Sequence, residues 1–309
     1  NKIKIEILIL LSFLFFENCL AEIKLTKIID NLKSPWSLTI LDNKRYLITE
    51  KSGNILIFNK SKNNLKKIEH NLNILEDGQG GLLDILFYNN KIFISYSENK
   101  GNKKTSTSAA VAEFNTSNLN FKNIFTALPP IESGYHFGSR LIIRDNKLYI
   151  SAGERGKGDI AQDFTKHPGS IIRINLDGTI PKDNPKFNNK SNWLKEIYQI
   201  GIRNVQGMCL SPFDNNIYMT NHGARGGDWF GKLNKGGNYG WDKLYWGGTK
   251  YSGLSGGPKW LPGYDKPIKY YVPSIAISAC VIYKGNEFPS WNKSALITSL
   301  KDQSLRKIS

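Results

Sequence analysis

The sequence predicts an all-β protein whose strands form the blades of a propeller. Short runs rich in Ile, Leu, Val, Tyr and Phe recur along the chain, separated by Gly, Asn, Asp and Pro. Almost no stretch has the 3.6-residue periodicity of an amphipathic helix. A turn followed by an apolar strand begins at residues 43, 90, 146 and 216. Intervals of roughly 45 to 70 residues match a four-stranded blade with its loops and favour a propeller over a sandwich or barrel.

The predicted strands are short apolar runs that end at turn residues. In chain order they cover residues 36–40, 46–49, 55–58, 82–87, 92–96, 109–114, 141–143, 148–151, 171–174, 217–220, 275–283 and 295–300. Asp145 and Asn146 separate two of these runs, and both residue types tolerate the left-handed backbone of a tight turn. We therefore expect residues 141–151 to form a β-hairpin.

Composition and charge limit the possible classes of protein. The 309 residues are 40% hydrophobic and 12% aromatic, which is ample for a core, and no linker divides residues 22–309. The chain has 42 Lys and Arg against 26 Asp and Glu, a formal charge of +16. Lysines cluster in residues 60–67 and 100–104 without interleaved aromatics. We interpret both stretches as solvent-exposed loops, and do not expect nucleic-acid binding.

Residues 1–21 have the features of a secretory signal. Lys2 and Lys4 supply a basic start, and a short apolar run covers residues 7–16. Small residues at 19 and 21 suit cleavage after Ala21. The run is too short for a comfortable membrane span, so the sequence predicts a secreted or periplasmic protein with no membrane span in the mature chain.

Two cysteines, Cys209 and Cys280, remain after such cleavage. An exported compartment permits a disulfide between them, but the sequence alone does not establish that they pair. The chain has no CxxC or HExxH motif, so it shows no recognisable zinc or haem site.

Glycine-rich segments with polar residues occur at the ends of several predicted strands. They cover residues 78–81, 201–207, 222–228 and 236–241, and His136 precedes another strand. Each segment alone is more simply explained as a tight turn at a blade edge, and the histidine as a structural one. Their repetition favours a shared ligand site at one mouth of the central channel.

Ten motifs resemble, in order, those of the soluble quinoprotein sugar dehydrogenases, which include aldose sugar dehydrogenases and the soluble PQQ-dependent glucose dehydrogenase. They are LKSPWSL at Leu32, GQGGLLDI at Gly78, YHFGSRL at Tyr135, AQDFTKHPGSIIRINLDGTIPKDNP at Ala161, GIRNVQG at Gly201, HGARGGD at His222, GGNYGW at Gly236, VPSIAIS at Val272, FPSW at Phe288 and SLKD at Ser299. The motifs cover essentially all of the chain after the signal.

The resemblance implies a six-bladed β-propeller that binds pyrroloquinoline quinone (PQQ) over the central channel. Such an enzyme oxidises an aldose at C1 to a lactone and passes electrons to an external acceptor. His136 corresponds to the general base, a role that suits the pKa of imidazole. Glu154 stands where the family usually has Asp and could orient the histidine. Gln162 would help to hold substrate or cofactor.

The same resemblance implies a set of quinone contacts. They are Gln79, Arg203, Asn204, Tyr251 and Lys301. The cofactor has three carboxylates, so Arg203 and Lys301 are suitable partners for its negative charge.

Calcium is a further cofactor implied by the resemblance, at two places. The backbone carbonyls of Gly223 and Ala224 correspond to a calcium that bridges protein and cofactor. Tyr239 corresponds to a ligand of a second calcium, but Trp229 stands where the family has the Glu ligand of that site. Because calcium prefers oxygen ligands, we expect the second site to be weak.

The resemblance also concerns the end of the chain. The family continues past the SLKD motif with a closing blade, whereas this chain ends at Ser309. The residues after 21 suffice for about five blades, the last of them incomplete.

Two other functions remain open. A non-catalytic propeller could bind a protein or sugar ligand, and a calcium-dependent propeller could hydrolyse lactones. The joint presence of His136, Gln79, Arg203, Asn204 and Lys301 favours the dehydrogenase. The sugar, the electron acceptor and the oligomeric state do not follow from the sequence.

Overall fold

A computed structural model describes residues 23–187 and 192–309, so the predicted signal lies outside the described residues. Residues 33–309 form one compact unit, and all the described strands belong to it. Residues 23–32 have neither helix nor strand. Within the described ranges, no helix combines the length and the apolar character needed to cross a bilayer.

Twenty short strands, numbered along the chain, make up almost all of the regular structure that is described. The first nine are β1 (Pro35–Ile40), β2 (Arg45–Glu50), β3 (Asn54–Asn59), β4 (Asn64–His70), β5 (Leu82–Tyr88), β6 (Lys91–Asn99), β7 (Thr105–Glu113), β8 (Asn118–Leu119) and β9 (Lys122–Thr126). The next eight are β10 (Gly138–Arg144), β11 (Lys147–Ala152), β12 (Ser170–Asn175), β13 (Ile197–Ile200), β14 (Val205–Leu210), β15 (Ile217–Asn221), β16 (Asp228–Lys232) and β17 (Lys269–Tyr271). The last three are β18 (Ile277–Ile282), β19 (Ala295–Ser299) and β20 (Ser304–Ile308), and two 3₁₀ helices cover Gly158–Gln162 and Pro289–Trp291.

These strands form five sheets, the blades of a β-propeller. Their strand orders are β1-β2-β3-β4-β8, β5-β6-β7-β9, β10-β11-β12-β13, β14-β15-β16-β17 and β18-β19-β20. Pairing within each sheet is antiparallel, except for the parallel pair β4–β8. The first strands of successive sheets contact one another, so β1, β5, β10, β14 and β18 form the inner row. The architecture confirms the predicted propeller with about five blades.

The hydrophobic core lies between successive blades rather than at one centre. Leu47 and Ile55 of the first blade pack with Leu82 and Ile92 of the second. Three further clusters fill the spaces between the second and third, third and fourth, and fourth and fifth blades. In the middle blades both faces are covered, so β6 and β11 are buried along most of their length. In the first and fifth blades, Leu38 of β1 and Val281 of β18 are more than half exposed.

The predicted hairpin within residues 141–151 is confirmed. β10 and β11 pair with Arg144 opposite Lys147. Asp145 and Asn146 form the connecting turn with φ of 51° and 54°, the left-handed values that these residue types tolerate.

Two polar segments differ from the sequence prediction. The expected loop at residues 60–67 is wrong in its second half, because Asn64–His70 forms β4. There Ile68 is buried whereas Lys66 and Lys67 remain exposed, as expected of an outer strand that meets the core on one face. The predicted strand at 109–114 begins earlier, at Thr105. Its hydroxyl residues are buried, and two of them hydrogen-bond to other segments: Thr107 Oγ1 donates to the Phe137 carbonyl at 3.0 Å and Ser108 Oγ to Glu98 Oε2 at 2.6 Å.

A disulfide joins the fourth and fifth blades. Cys209 in β14 bonds to Cys280 in β18, and their Cα atoms are 5.7 Å apart. The bond closes a loop with a sequence separation of 71 residues. A covalent link across a loop of this length restricts the unfolded chain and so stabilises the folded one.

We predict that the double substitution Cys209→Ala/Cys280→Ala lowers the free energy of unfolding by about 2–4 kcal/mol. Urea unfolding of parent and variant measures the difference. A reducing agent should destabilise the parent by a similar amount and leave the variant unchanged. Equal reductant sensitivity of the two proteins would contradict the assignment.

Candidate active site

The predicted site residues come from loops at one end of the blades. Antiparallel pairing brings the start of an inner strand and the end of the next strand to the same end of a sheet. His136 precedes β10 and Glu154 follows β11, while Arg203 precedes β14 and Ala224 follows β15. Gln79 lies just before β5. Residues from three blades therefore meet at one end of the inner row.

These residues line a cavity of about 630 Å³. Its walls combine titratable, amide and aromatic side chains. The lining residues are Gln79, Tyr135, His136, Glu154, Gly156, Gly158, Arg203, Ala224, Trp241, Asp242, Tyr245, Lys250 and Tyr251. Six of them, Gln79, His136, Glu154, Arg203, Ala224 and Tyr251, are among the residues singled out from the sequence.

Hydrogen bonds hold both the backbone and the imidazole ring of His136. Its backbone N–H donates to Gln79 Oε1 at 2.9 Å. Its Nδ1 lies 2.5 Å from Glu154 Oε1, and the side chains of His136 and Glu154 are 14% and 2% exposed. Because a carboxylate accepts hydrogen bonds, Nδ1 carries the hydrogen, and the Nε2 lone pair remains able to accept a proton.

Arg203 stands beside the same carboxylate. Its Nε is 3.9 Å from Glu154 Oε1, and its backbone carbonyl accepts the Glu154 N–H at 2.9 Å. The guanidinium carbon lies 5.3 Å from the ring centre of Trp241 and 5.9 Å from that of Tyr251. The side chain is almost fully buried, so this cation is fixed between a carboxylate and two aromatic rings.

The donors around the cavity suit a flat anion. Arg203 and Lys250 are cationic, and Trp241 and Tyr251 present ring surfaces. The Nε1–H of Trp241 is buried and has no hydrogen-bond partner among the described residues. A buried donor without a partner is unfavourable, so a ligand oxygen at this position would stabilise it.

Burial changes the acidity of other groups in the site. Burial, reinforced by the carboxylates of Asp159 and Glu154, raises the pKa of Asp242. Burial likewise raises the pKa of the Tyr245 phenol. Burial lowers the pKa of His222, which lines a neighbouring cavity of about 300 Å³, although the Asp228 carboxylate opposes the change. The neutral imidazole of His222 is therefore favoured near pH 7.

Three of the residues predicted to act in catalysis or to contact the quinone lie outside the lining of this cavity. Asn204 is buried and its Oδ1 accepts the Gly138 N–H at 3.0 Å; the side chain borders a neighbouring cavity of about 300 Å³. Gln162 donates from Nε2 to the Trp241 carbonyl at 2.6 Å. Lys301 is exposed, with Nζ 3.4 Å from the Ser274 carbonyl oxygen. Their proposed contacts with cofactor or substrate stay predictions.

The two places expected to hold calcium differ in their surroundings, since one borders the cavity and the other is packed with aromatic rings. Ala224 lines the main cavity, and the backbone N–H of Gly223 donates to Asp228 Oδ1 at 2.7 Å. At the other place, the Tyr239 hydroxyl donates to the Lys232 carbonyl at 2.7 Å, and its ring stacks on Trp229 with a centroid distance of 4.2 Å. The region around Tyr239 is thus packed aromatic core.

Sequence reasoning missed several lining residues. Trp241 closes the recognised GGNYGW segment, and Asp242, Tyr245 and Lys250 follow it in the long connection between β16 and β17. The signal for them in the sequence is the number of aromatic residues that follow this motif. Tyr135 is also aromatic and stands directly before the base.

Comparison with known proteins identifies the family. Residues 32–309 match the family described as Glucose / Sorbosone dehydrogenase. The chain is 34% identical over 288 residues to the aldose sugar dehydrogenase YliI of Escherichia coli (strain K12), covering 89% of this chain and 77% of that protein. It is 30% identical over 254 residues to quinoprotein glucose dehydrogenase B of Acinetobacter calcoaceticus, covering 70% of this chain and 52% of that protein.

A solved structure supports the same conclusion. A crystal structure of glucose dehydrogenase superposes with a TM-score of 0.87 at 30% sequence identity, covering 92% of this chain and 85% of that one. The chain therefore belongs to the glucose/sorbosone dehydrogenase family. This membership confirms both the resemblance found in the motifs and the predicted class of enzyme.

Proposed function

We propose that this protein is a PQQ-dependent aldose dehydrogenase that oxidises the sugar at C1 to a lactone. The observation that carries the proposal is a histidine with a free Nε2, held by a buried carboxylate in a cavity that also has a fixed arginine. The two curated relatives bear the names of an aldose sugar dehydrogenase and a quinoprotein glucose dehydrogenase, which agree with this chemistry.

The donor set of the cavity fits PQQ, a planar ring system with three carboxylates. Arg203 and Lys250 would neutralise carboxylates, and the Trp241 N–H would donate to an oxygen. The rings of Trp241, Tyr245 and Tyr251 would contact its flat faces. When bound, PQQ supplies an ortho-quinone that accepts the hydride from C1 of the sugar.

Side chains of this protein accept the proton that the reaction releases. Nε2 of His136 accepts the proton of the C1 hydroxyl as the C–H bond breaks. Glu154 keeps the ring in the tautomer that leaves Nε2 free, and its charge stabilises the imidazolium that forms. Arg203, beside the same carboxylate, places positive charge where negative charge develops in the cavity.

Calcium at the Gly223 and Ala224 carbonyls is part of the proposal. Calcium takes six to eight oxygen ligands. Across residues 23–187 and 192–309, no three His, Cys, Asp or Glu side chains are grouped so as to hold a metal ion. Calcium at this place would therefore need oxygens from the cofactor and water in addition to the two carbonyls.

Secretion or a periplasmic location completes the proposal. The signal-like residues 1–21 suggest export, and the Cys209–Cys280 disulfide is typical of an oxidising compartment. Electrons would then leave to an acceptor outside the cytoplasm. The direct test is to add PQQ and calcium to the purified protein and to measure bound-quinone absorbance and dye-linked aldose oxidation.

His136→Gln should lower kcat by about 10²–10⁴-fold, because the general base is lost. PQQ should still bind with nearly unchanged affinity, because the substitution leaves Arg203 and Lys250 intact. Steady-state kinetics and a PQQ titration measure the two effects. A variant that turns over like the parent would exclude His136 as the base.

Arg203→Gln and Lys301→Ala should each raise the dissociation constant of PQQ, because a carboxylate loses a charge-assisted partner. We expect the larger effect at Arg203, since it is buried and lines the cavity whereas Lys301 is exposed. Lys307→Ala, an exposed lysine of β20, is the control for loss of charge alone. If both variants titrate with PQQ like this control, the proposed cofactor position is wrong.

Calcium binding should depend on PQQ. We predict little tightly held calcium in the apo protein and about one equivalent after PQQ is added, because the two carbonyls need further oxygen ligands. Metal analysis after gel filtration measures both states. Tight calcium without PQQ would contradict the expectation that Trp229 leaves the second site weak. Bound PQQ without calcium would exclude the bridging site.

A further inference from the structure

Arg155 is a buried cation that the reaction does not use directly. It follows Glu154 in the chain, is 2% exposed, and has no carboxylate within ion-pair distance among the described residues. Burial lowers its pKa to about 10, so the guanidinium stays charged near pH 7. A buried charge is costly unless hydrogen bonds satisfy it, so its partners indicate what it is for.

The partners of Arg155 surround His136. Its Nε donates to the carbonyl of Tyr135 at 3.0 Å, and one terminal nitrogen donates to the carbonyl of Ser133. The guanidinium carbon lies 3.6 Å from the ring centre of Phe137. The side chain thus contacts the residues immediately before and after the base and the start of its loop.

The same guanidinium anchors this loop to the second blade. One terminal nitrogen donates to the Thr105 carbonyl at 3.2 Å, and the other donates to Thr105 Oγ1 at 2.8 Å. Thr105 is the first residue of β7, and its side chain is buried. The planar fork of arginine can make these contacts together, which a lysine ammonium on a single stem cannot reproduce.

The backbone of His136 needs such support. Its φ is 49°, a left-handed conformation that is unfavourable for a residue with a side chain and persists only where the surroundings enforce it. The backbone N–H of Arg155 also donates to the His136 carbonyl, at 3.3 Å. Residues 154 and 155 therefore hold the histidine at two levels, its ring through Glu154 and its backbone through Arg155.

We propose that Arg155 is a positioning residue for His136, which fixes the backbone around the base so that its imidazole meets Glu154 and faces the cavity. The role in turnover rests on the proposed function. The effect on the histidine ring does not, because it is a property of the protein without cofactor or substrate.

The first test is made on the apo protein labelled with ¹⁵N-histidine. The chain has four histidines, and His136→Gln assigns the ring signals of His136 by their loss. Arg155→Gln should shift the His136 ring nitrogen signals while the other three rings keep theirs, because the contact of Nδ1 with Glu154 is weakened. Arg173→Gln is the matched control: Arg173 is also buried, binds Asp183 and faces Tyr198, and touches no residue of the His136 loop.

The second test is kinetic. Arg155→Gln should lower kcat by roughly 10- to 100-fold, the usual effect of a displaced catalytic group, with KM and PQQ affinity nearly unchanged. Arg155→Lys keeps the charge and should restore only part of kcat. If Arg155→Gln does not fold, both tests are made on Arg155→Lys. Arg173→Gln should lower stability without this loss of kcat.

The outcomes separate the two proposals. If the parent protein oxidises no aldose, the proposed function fails, while the NMR comparison still decides the role of Arg155. If folded Arg155 variants keep the His136 ring signals of the parent, the positioning role is wrong. Parent-like kcat in those variants would overturn it equally, as would the same kcat loss in Arg173→Gln.

Discussion

The site depends on one buried contact, that of the His136 imidazole with the Glu154 carboxylate. A carboxylate that is 2% exposed is strongly disfavoured unless charged or hydrogen-bonding groups surround it. Here the imidazole and the guanidinium of Arg203 supply those groups, and one carboxylate oxygen has no hydrogen-bond partner in the described chain. The three side chains come from different loops, so this electrostatic requirement links the third and fourth blades at their ends.

The propeller makes such a contact possible because its inner strands all deliver loops to one end. Close approach of these loops requires residues without side chains at certain points. A Cβ on Gly153 would lie 2.0 Å from the His136 carbonyl oxygen, so only glycine lets the segment carrying Glu154 reach the base. The guanidinium of Arg155 then links the carbonyls of Ser133 and Tyr135, just before the base, to Thr105 of β7 in the second blade. The close approach of Gly153 to His136 and the buried guanidinium of Arg155 lie on the loops around the base, outside the strands.

The side chains of Trp229 and Tyr239 pack together in the fourth blade, at the place where the resemblance implies a second calcium site. Trp229 stands where the resemblance implies a carboxylate. Its indole stacks on the Tyr239 ring, and the Tyr239 hydroxyl bonds to a backbone carbonyl. Aromatic packing stabilises this part of the fourth blade without a charged ligand. Neither residue lines the proposed cofactor cavity, whose lining is cationic and aromatic.

The sequence by itself determined the all-β class, the hairpin at Asp145–Asn146 and the order of motifs that identifies the family. These features depend on neighbouring residues, whose turn preferences and apolar runs act locally. The same motifs pointed to His136, Glu154, Gln79 and Arg203, which the fold brings together. The burial of Thr105–Ser108, the Cys209–Cys280 pair and the contacts of Arg155 were decided only by the tertiary structure. Each depends on partners far away in the chain, and polar residues look alike in a sequence until the packing of blades defines which of them are buried.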